Sequence, residues 1–247
     1  MIAIKINIQR QTLFSNGMEK DFSEFERKIG IVFADDSFLR CAFTHRSYIN
    51  EHRSEKLEHN ERLEFLGDAV LELATTHFLF SKFPEKAEGE LTALRSSLVN
   101  TNTLSDTASS LGMNEYLLLS KGEEKDTGRA RAFLLANAFE AVVGAIYLDQ
   151  GYEAAVRFVT QFLFVKIDEI IDKQLWLDAK SHFQEKAQDE AGTTPVYSTI
   201  KETGPDHDKK FIVGVYLRDA LVAQGEGKSK QEAEQDAARA GLATKGW

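Results

Sequence analysis

The chain has 247 residues, 43% of them hydrophobic and 28% charged, enough apolar material for one large or two ordinary cores. Its formal net charge of −9 argues against a polyanion held by bulk charge, so a nucleic-acid partner must be gripped by local basic clusters or through metal ions. A single cysteine, Cys41, excludes an internal disulfide framework and suits a reducing cytosol; with no secretory signal and no run near the ~20 apolar residues of a membrane span, a cytoplasmic chain without a membrane partner is expected.

Residues 1–18 match nothing that follows. Ile2, Ile4, Ile6 and Ile8 alternate with polar or small residues in a short strand pattern that Asn16-Gly17 breaks, so this segment reads as an N-terminal extension. From Asp21 to about Ile171 the pattern is helical throughout. Phe22, Phe25 and Ile29 open one amphipathic helix. Ser37 can cap the next, with Leu39, Ala42 and Phe43 on its buried side. A long acidic helix runs from 60 through Phe80 to the stop at Phe83-Pro84. Helices follow over Glu90–Asn100, Leu104–Leu111 and 132–148, the last after a charged, Gly-punctuated loop at 121–131. A final long helix opens at Gly151. After a linker at 173–180 the periodicity changes. A helix at 181–191, strands at Pro195–Ile200, Phe211–Tyr216 and Ala220–Gly225, and a helix at Lys228–Leu242 give an αβββα order. The fold class expected is therefore an all-α domain over 19–172 followed by a small α+β domain over 181–247.

The stretch NERLEFLGDAVLE (Asn60 to Glu72) places Glu61, Glu64 and Asp68 at i, i+3 and i+7, one face of a helix. Asn60 suits an N-cap, and Glu61 in the first turn suits the helix dipole. A solvated acidic face is the commonest reading of such spacing. Gly67-Asp68 points elsewhere, because both residues weaken a helix interior; close backbone approach at Gly67 with a hard-metal ligand at Asp68 would explain them. On the 132–148 helix, Asn137 and Glu140 share a face among small residues (Ala136, Ala138, Ala141, Gly144, Ala145) that would admit a second helix. If the two helices pack, Glu64, Asp68, Asn137 and Glu140 converge in an all-oxygen set that selects Mg2+ or Mn2+ over zinc and suits phosphoryl displacement. The competing reading pairs Glu140 with Arg62 or Arg95. In the C-terminal region, Lys209-Lys210 beside His207 lie in a turn, and Lys228-Ser229-Lys230 lie at a helix start, where backbone N–H groups bind phosphates. With Gln184 and Glu185 on the first helix, these three elements suit the successive grooves of A-form RNA.

These residues resemble the ribonuclease III family. NERLEFLGDAVLE is similar to its signature stretch, and the likeness continues through AFTHRSYINE, EGELTALRSSLV, KGEEKDTGRAR and LANAFEAVVGAIYLD. SHFQEKAQDE, GPDHDKKF and GEGKSKQEAEQDAA resemble the three parts of a double-stranded-RNA-binding domain. The match covers about residues 20 to 245 in family order and is most similar to the bacterial class with one catalytic domain. The resemblance implies a homodimeric, Mg2+-dependent endoribonuclease that cuts double-stranded RNA to 5′-phosphate and 3′-hydroxyl ends, works on ribosomal RNA precursors and other structured transcripts, and needs no small-molecule cofactor. Carried over by position, Glu64, Asp68 and Glu140 match metal-binding carboxylates, with Asp68 and Glu140 the most critical. Glu61 and Glu88 match accessory acidic positions, and Phe65 matches an aromatic inserted into the partner subunit. Gln184, Glu185, His207, Lys209, Lys210, Lys228, Ser229 and Lys230 match RNA-contacting positions. The family usually has Asp where this chain has Asn137, which offers a carbonyl oxygen and no charge. That departure motivates the alternative, a catalytically weakened binder of double-stranded RNA; a third reading makes the helical domain a dimerisation module only.

Overall fold

The computed structural model describes residues 20–52, 57–172, 178–205 and 209–247. The expected strand at 2–8, most of the linker and His207 lie outside the described residues. The helical region comprises α1 (Ser23–Ile29), α2 (Asp36–Phe43), α3 (Arg46–Glu51), α4 (Glu61–Lys82), α5 (Glu88–Leu98), α6 (Thr101–Ser110), α7 (Arg129–Gln150), α8 (Tyr152–Phe162) and α9 (Ile167–Asp172). At its centre is α7, which packs against α2, α4, α6 and α8. Leu135, Phe139, Val142, Val143 and Ile146 are buried, and the intervening Ala and Gly keep the helix slender enough for neighbours on every side. By length and composition α7 could cross a membrane, a possibility the search for long apolar runs missed, but more than half of that stretch lies inside this core.

Several helix boundaries differ from the sequence reading, each for a local reason. Ser37 does not cap α2. Asp35 does, its carboxylate accepting the Ser37 N–H at 2.9 Å. The Asp149 carboxylate then accepts the Ala34 and Asp35 N–H groups at 2.9 and 3.0 Å, tying the entry of α2 to the end of α7. Helix α5 starts at Glu88, because Glu90 folds back to accept the Ala87 N–H at 3.2 Å. Helix α7 starts at Arg129. Part of the charged loop before it is a 3-10 turn (Glu123–Lys125), clasped by the Arg131 guanidinium donating to the carbonyls of Glu123, Glu124 and Asp126. The long final helix is instead α8 and α9 with a 3-10 turn at Phe164–Lys166; that break turns Phe164 onto Phe78 of α4, ring centroids 4.3 Å apart. The short helix α3 has His45 as its cap, the imidazole Nδ1 accepting the Ser47 N–H.

The C-terminal region has the expected αβββα order: α10 (Ala179–Ala191), β1 (Val196–Thr203), β2 (Lys210–Leu217), β3 (Ala220–Gly227) and α11 (Lys230–Lys245). The sheet is antiparallel in the order β1-β2-β3. Val215 and Leu217 join Ala179, Phe183, Ala187, Ala237 and Ala238 in a core between the sheet and both helices. Helix α10 begins at Ala179, two residues into the expected linker's end, because the Asp178 side chain accepts the Lys180 and Ser181 N–H groups.

Candidate active site and nucleic-acid interface

Helices α4 and α7 cross with their backbones in contact. A methyl group at Gly67 would run into the Glu140 carbonyl oxygen, and one at Gly144 into the Leu63 carbonyl oxygen. Gly67 is thus the residue that lets the helices touch, and its neighbour Asp68 is delivered beside Glu140. This is the arrangement the Gly67-Asp68 pair and the small residues of α7 pointed to.

Three of the expected carboxylates, Glu64, Asp68 and Glu140, interact electrostatically. Burial pushes the Glu140 carboxyl up to about 8, with Asp68 and then Glu64 adding to the rise. Glu64 is raised by burial, then by Glu61 and Asp68, and Asp68 is raised by burial and then by Glu72. Among the described residues no cation offsets these charges: Arg95 donates to the Thr76 hydroxyl at 3.0 Å and Glu140 has no ion-pair partner, so the reading that paired it with Arg62 or Arg95 is set aside. Asn137 sits half-buried on α7, three residues before Glu140. A buried carboxyl at Glu140 whose proton affinity is raised further by Asp68 and Glu64 forms with them a set that favours a divalent cation, and the all-oxygen chemistry fits Mg2+ or Mn2+. Among the described residues, no group of three or more His, Cys, Asp and Glu side chains is gathered into a ready-made metal cage.

Of the accessory positions, Glu61 borders this set, adding to the rise at Glu64, whereas Glu88 does not contribute to the shifts at Glu64, Asp68 or Glu140. Glu61 is exposed at the start of α4, 3.4 Å from the Arg46 guanidinium and 3.8 Å from His59. Glu88 opens α5 and accepts the Thr92 hydroxyl at 2.9 Å. Phe65 is 82% exposed, and Leu73 and Phe80 lie exposed further along the same helix. The Cys41 thiol is pushed up to about 11 by burial, which leaves it unreactive.

In the C-terminal region Gln184 and Glu185 are exposed on α10. Lys209 is paired with Glu202 at 2.9 Å, and Lys210 opens β2. Ser229 caps α11 by accepting the Glu232 N–H at 3.2 Å, and the Glu232 carboxylate accepts the Lys228 N–H at 2.9 Å. The helix start therefore already satisfies two of its N–H groups, which sequence reasoning had left open for phosphate. The ammonium groups of Lys228 and Lys230 remain, the latter 5.9 Å from the Phe211 ring centroid.

A family profile described as Ribonuclease-III-like matches residues 35–167, and one described as Double-stranded RNA binding motif matches residues 179–244. The chain is 48% identical to Ribonuclease 3 of Geobacillus kaustophilus over 223 residues, 90% of each chain. It is 47% identical to Ribonuclease 3 of Enterococcus faecalis over 220 residues, 89% of this chain and 95% of that one. Among solved structures, a nuclease domain of ribonuclease III from Campylobacter jejuni, described for flexibility in a region involved in dimer formation, aligns with a TM-score of 0.53 and 38% identity, covering 57% of this chain and 95% of that one.

Proposed function

The chain belongs to the ribonuclease III family and is an endoribonuclease of double-stranded RNA, and from that premise we propose that Glu64, Asp68 and Glu140, with the Asn137 amide oxygen, hold Mg2+ at its active site. The observation that carries this reading is the contact of Gly67 with the Glu140 backbone, which sets Asp68 beside Glu140 in a group of carboxyls lacking cations. Mn2+ can substitute, having the same preference for oxygen ligands.

A divalent ion held by Glu64, Asp68, Glu140 and Asn137 would supply positive charge for the phosphate and lower the pKa of water. The chain's own residues do the rest. Glu140, raised by burial, holds a proton at neutral pH until a cation displaces it. Glu64 and Asp68 supply the opposing anionic oxygens from α4. Asn137 orients a ligand or its water without adding charge. Residues 181–247 hold the duplex through Gln184 and Glu185, through His207, Lys209 and Lys210, and through Lys228, Ser229 and Lys230. The exposed Phe65, Leu73 and Phe80 on α4 support a homodimer in which each subunit carries one centre. Cleavage then leaves 5′-phosphate and 3′-hydroxyl ends on structured substrates such as ribosomal RNA precursors, in the cytoplasm. The alternative of a pure binder gains nothing from these observations, because a binder has no use for Asp68 held against Glu140.

Cleavage of a long RNA duplex across a Mg2+ titration tests the site. The chain cuts; Asp68→Asn loses about 10³-fold or more in rate while binding duplex normally in EDTA. Asn137→Asp, by restoring a charge, lowers the half-saturating Mg2+ concentration about tenfold. An active Asp68→Asn removes the site assignment. A chain that never cuts, beside an Asn137→Asp variant that does, makes the natural protein a binder.

A further inference from the structure

Asn60 is the residue before α4, polar yet only 4% exposed. Its place before an acidic first turn reads as an N-cap, but its backbone is already helical (φ −74°, ψ −11°) and its side chain caps nothing. Instead Nδ2 donates to the Ala42 carbonyl at 3.2 Å, and the backbone N–H donates to the Thr44 carbonyl at 2.9 Å. Both acceptors are at the C-terminal end of α2, where the last carbonyls have no partner within the helix. The Asn60 carbonyl in turn accepts the Glu64 N–H at 2.8 Å. The same strip of α2's end is paired on its other side: the Leu118 N–H donates to Phe43 at 2.8 Å and the His45 N–H to Leu118 at 3.0 Å. From Leu118 the chain continues into the clasped loop that leads to α7. The start of α4 is therefore fastened to the strip that also holds the approach to α7.

We infer that Asn60 is a positioning residue of the active site, setting Glu64 against Asp68 and Glu140 through the first turn of α4. The inference rests on the metal-site reading above. The crossing holds α4 against α7 from Leu63 to Gly67, but on the α7 side only; at the opposite, N-terminal edge of the first turn the hold is to α2, through Asn60. Glu61 offers only exposed ion pairs with Arg46 and His59, which restrain little. The buried bonds of Asn60 are the polar restraint that sets the direction in which the turn carrying Glu64 leaves α2, complementing the packing of Leu63 on α7. Removing its amide leaves the Ala42 carbonyl without its donor and loosens the hold on Glu64, while the ligand residues themselves are unchanged in sequence.

The test uses the full chain and Mn2+ as probe, its binding read by electron paramagnetic resonance without RNA. Asn60→Ala raises the Mn2+ Kd about tenfold, the scale for groups that support metal ligands, and leaves the duplex-RNA Kd in EDTA unchanged. Ile170→Ala, a buried position in α9, serves as the stability control: it lowers Tm without moving the Mn2+ Kd. If Asn60→Ala lowers Tm and leaves the Mn2+ Kd alone, as the control does, Asn60 is merely structural and the inference is overturned. Asn60→Ser, which leaves a smaller void and keeps a hydroxyl, is judged by the same measure if the alanine variant does not fold. Asp68→Asn run in parallel separates the two levels. Mn2+ binding abolished there but unmoved at Asn60 sinks only the positioning role; Mn2+ binding intact in Asp68→Asn sinks the metal site first.

Discussion

Glu140 shows how far a single side chain can be pushed by its surroundings. Its carboxyl is raised from an ordinary value of 4.5 to about 8, first by burial on α7 and then by Asp68 and Glu64. The sign of the consequence follows from linkage. Between those two values the folded chain binds a proton that the unfolded chain has released, so stability is greatest at the acid end and falls as pH rises. In EDTA, thermal unfolding followed from pH 5 to 8 should show Tm declining, with a Glu140 contribution below about 1.4 kcal/mol per pH unit, the limit for one proton. Glu140→Gln should flatten that decline, and saturating Mg2+ should oppose it. A profile identical in Glu140→Gln and the natural chain would show that Glu140 is solvated after all. That Glu64 and Asp68 lie on the same face as Glu61 was legible from spacing; that Glu140 lies beside them needed in addition the packing of α4 on α7, which the small residues of α7 suggested. The role of Asn60 was not legible. An Asn before Glu61 satisfies every local rule for a cap, and its true partners, Ala42 and Thr44, lie far back in the chain.

At the scale of the element, the proposed active site depends on how closely two helices approach. Side-chain packing normally keeps helix axes about 8–10 Å apart. Gly67 and Gly144 remove that spacer where α4 and α7 cross, and backbone atoms meet. Gly67→Ala has no room that a side-chain shift could open, since the obstacle is the Glu140 carbonyl. The variant should lose about 3 kcal/mol or more, at the upper end for an overpacked core, and the helices should part where Asp68 meets Glu140. Gly89→Ala makes the contrast: in the first turn of α5 nothing lies near its added methyl, so it should be neutral or gain up to about 1 kcal/mol. Urea melts of both variants check this, and equal stability would mean that the crossing can relax. The small residues of α7 announced this packing in the sequence. The broken end of the last long helix was hidden, because Phe164 continues a helical apolar pattern and leaves it only to reach Phe78 of α4, a contact between distant segments. The start of α5 was misplaced for a subtler reason. Gly89 reads as a break, but in a first turn it costs little, and the back-folded Glu90 marks the true boundary.

Over the whole molecule the question is how a chain of net charge −9 holds a polyanion. The answer offered by the C-terminal region is local, and it distinguishes among its lysines. Lys209 already faces Glu202 at 2.9 Å, so engaging a phosphate means exchanging one anion for another. Lys228 has no such partner for its ammonium group among the described residues, and it stands at the start of α11 beside the Ser229 cap. Each free cation that neutralises a phosphate releases condensed counterions, and the salt dependence of binding counts those releases. Lys228→Ala should therefore weaken duplex-RNA binding uniformly across sequences and reduce the slope of log Kd against log salt by about 1. Lys209→Ala should change the slope by less, because its loss frees Glu202 and removes an ion pair that binding would otherwise have to break. The measurement is binding in EDTA over a series of salt concentrations, so that cutting does not intrude. Equal slopes for the natural chain and Lys228→Ala would place the duplex away from the start of α11. A larger effect at Lys209 than at Lys228 would mean that the Glu202 pair opens at no cost, leaving Lys209 at the entry to β2, rather than the start of α11, as the main electrostatic hold.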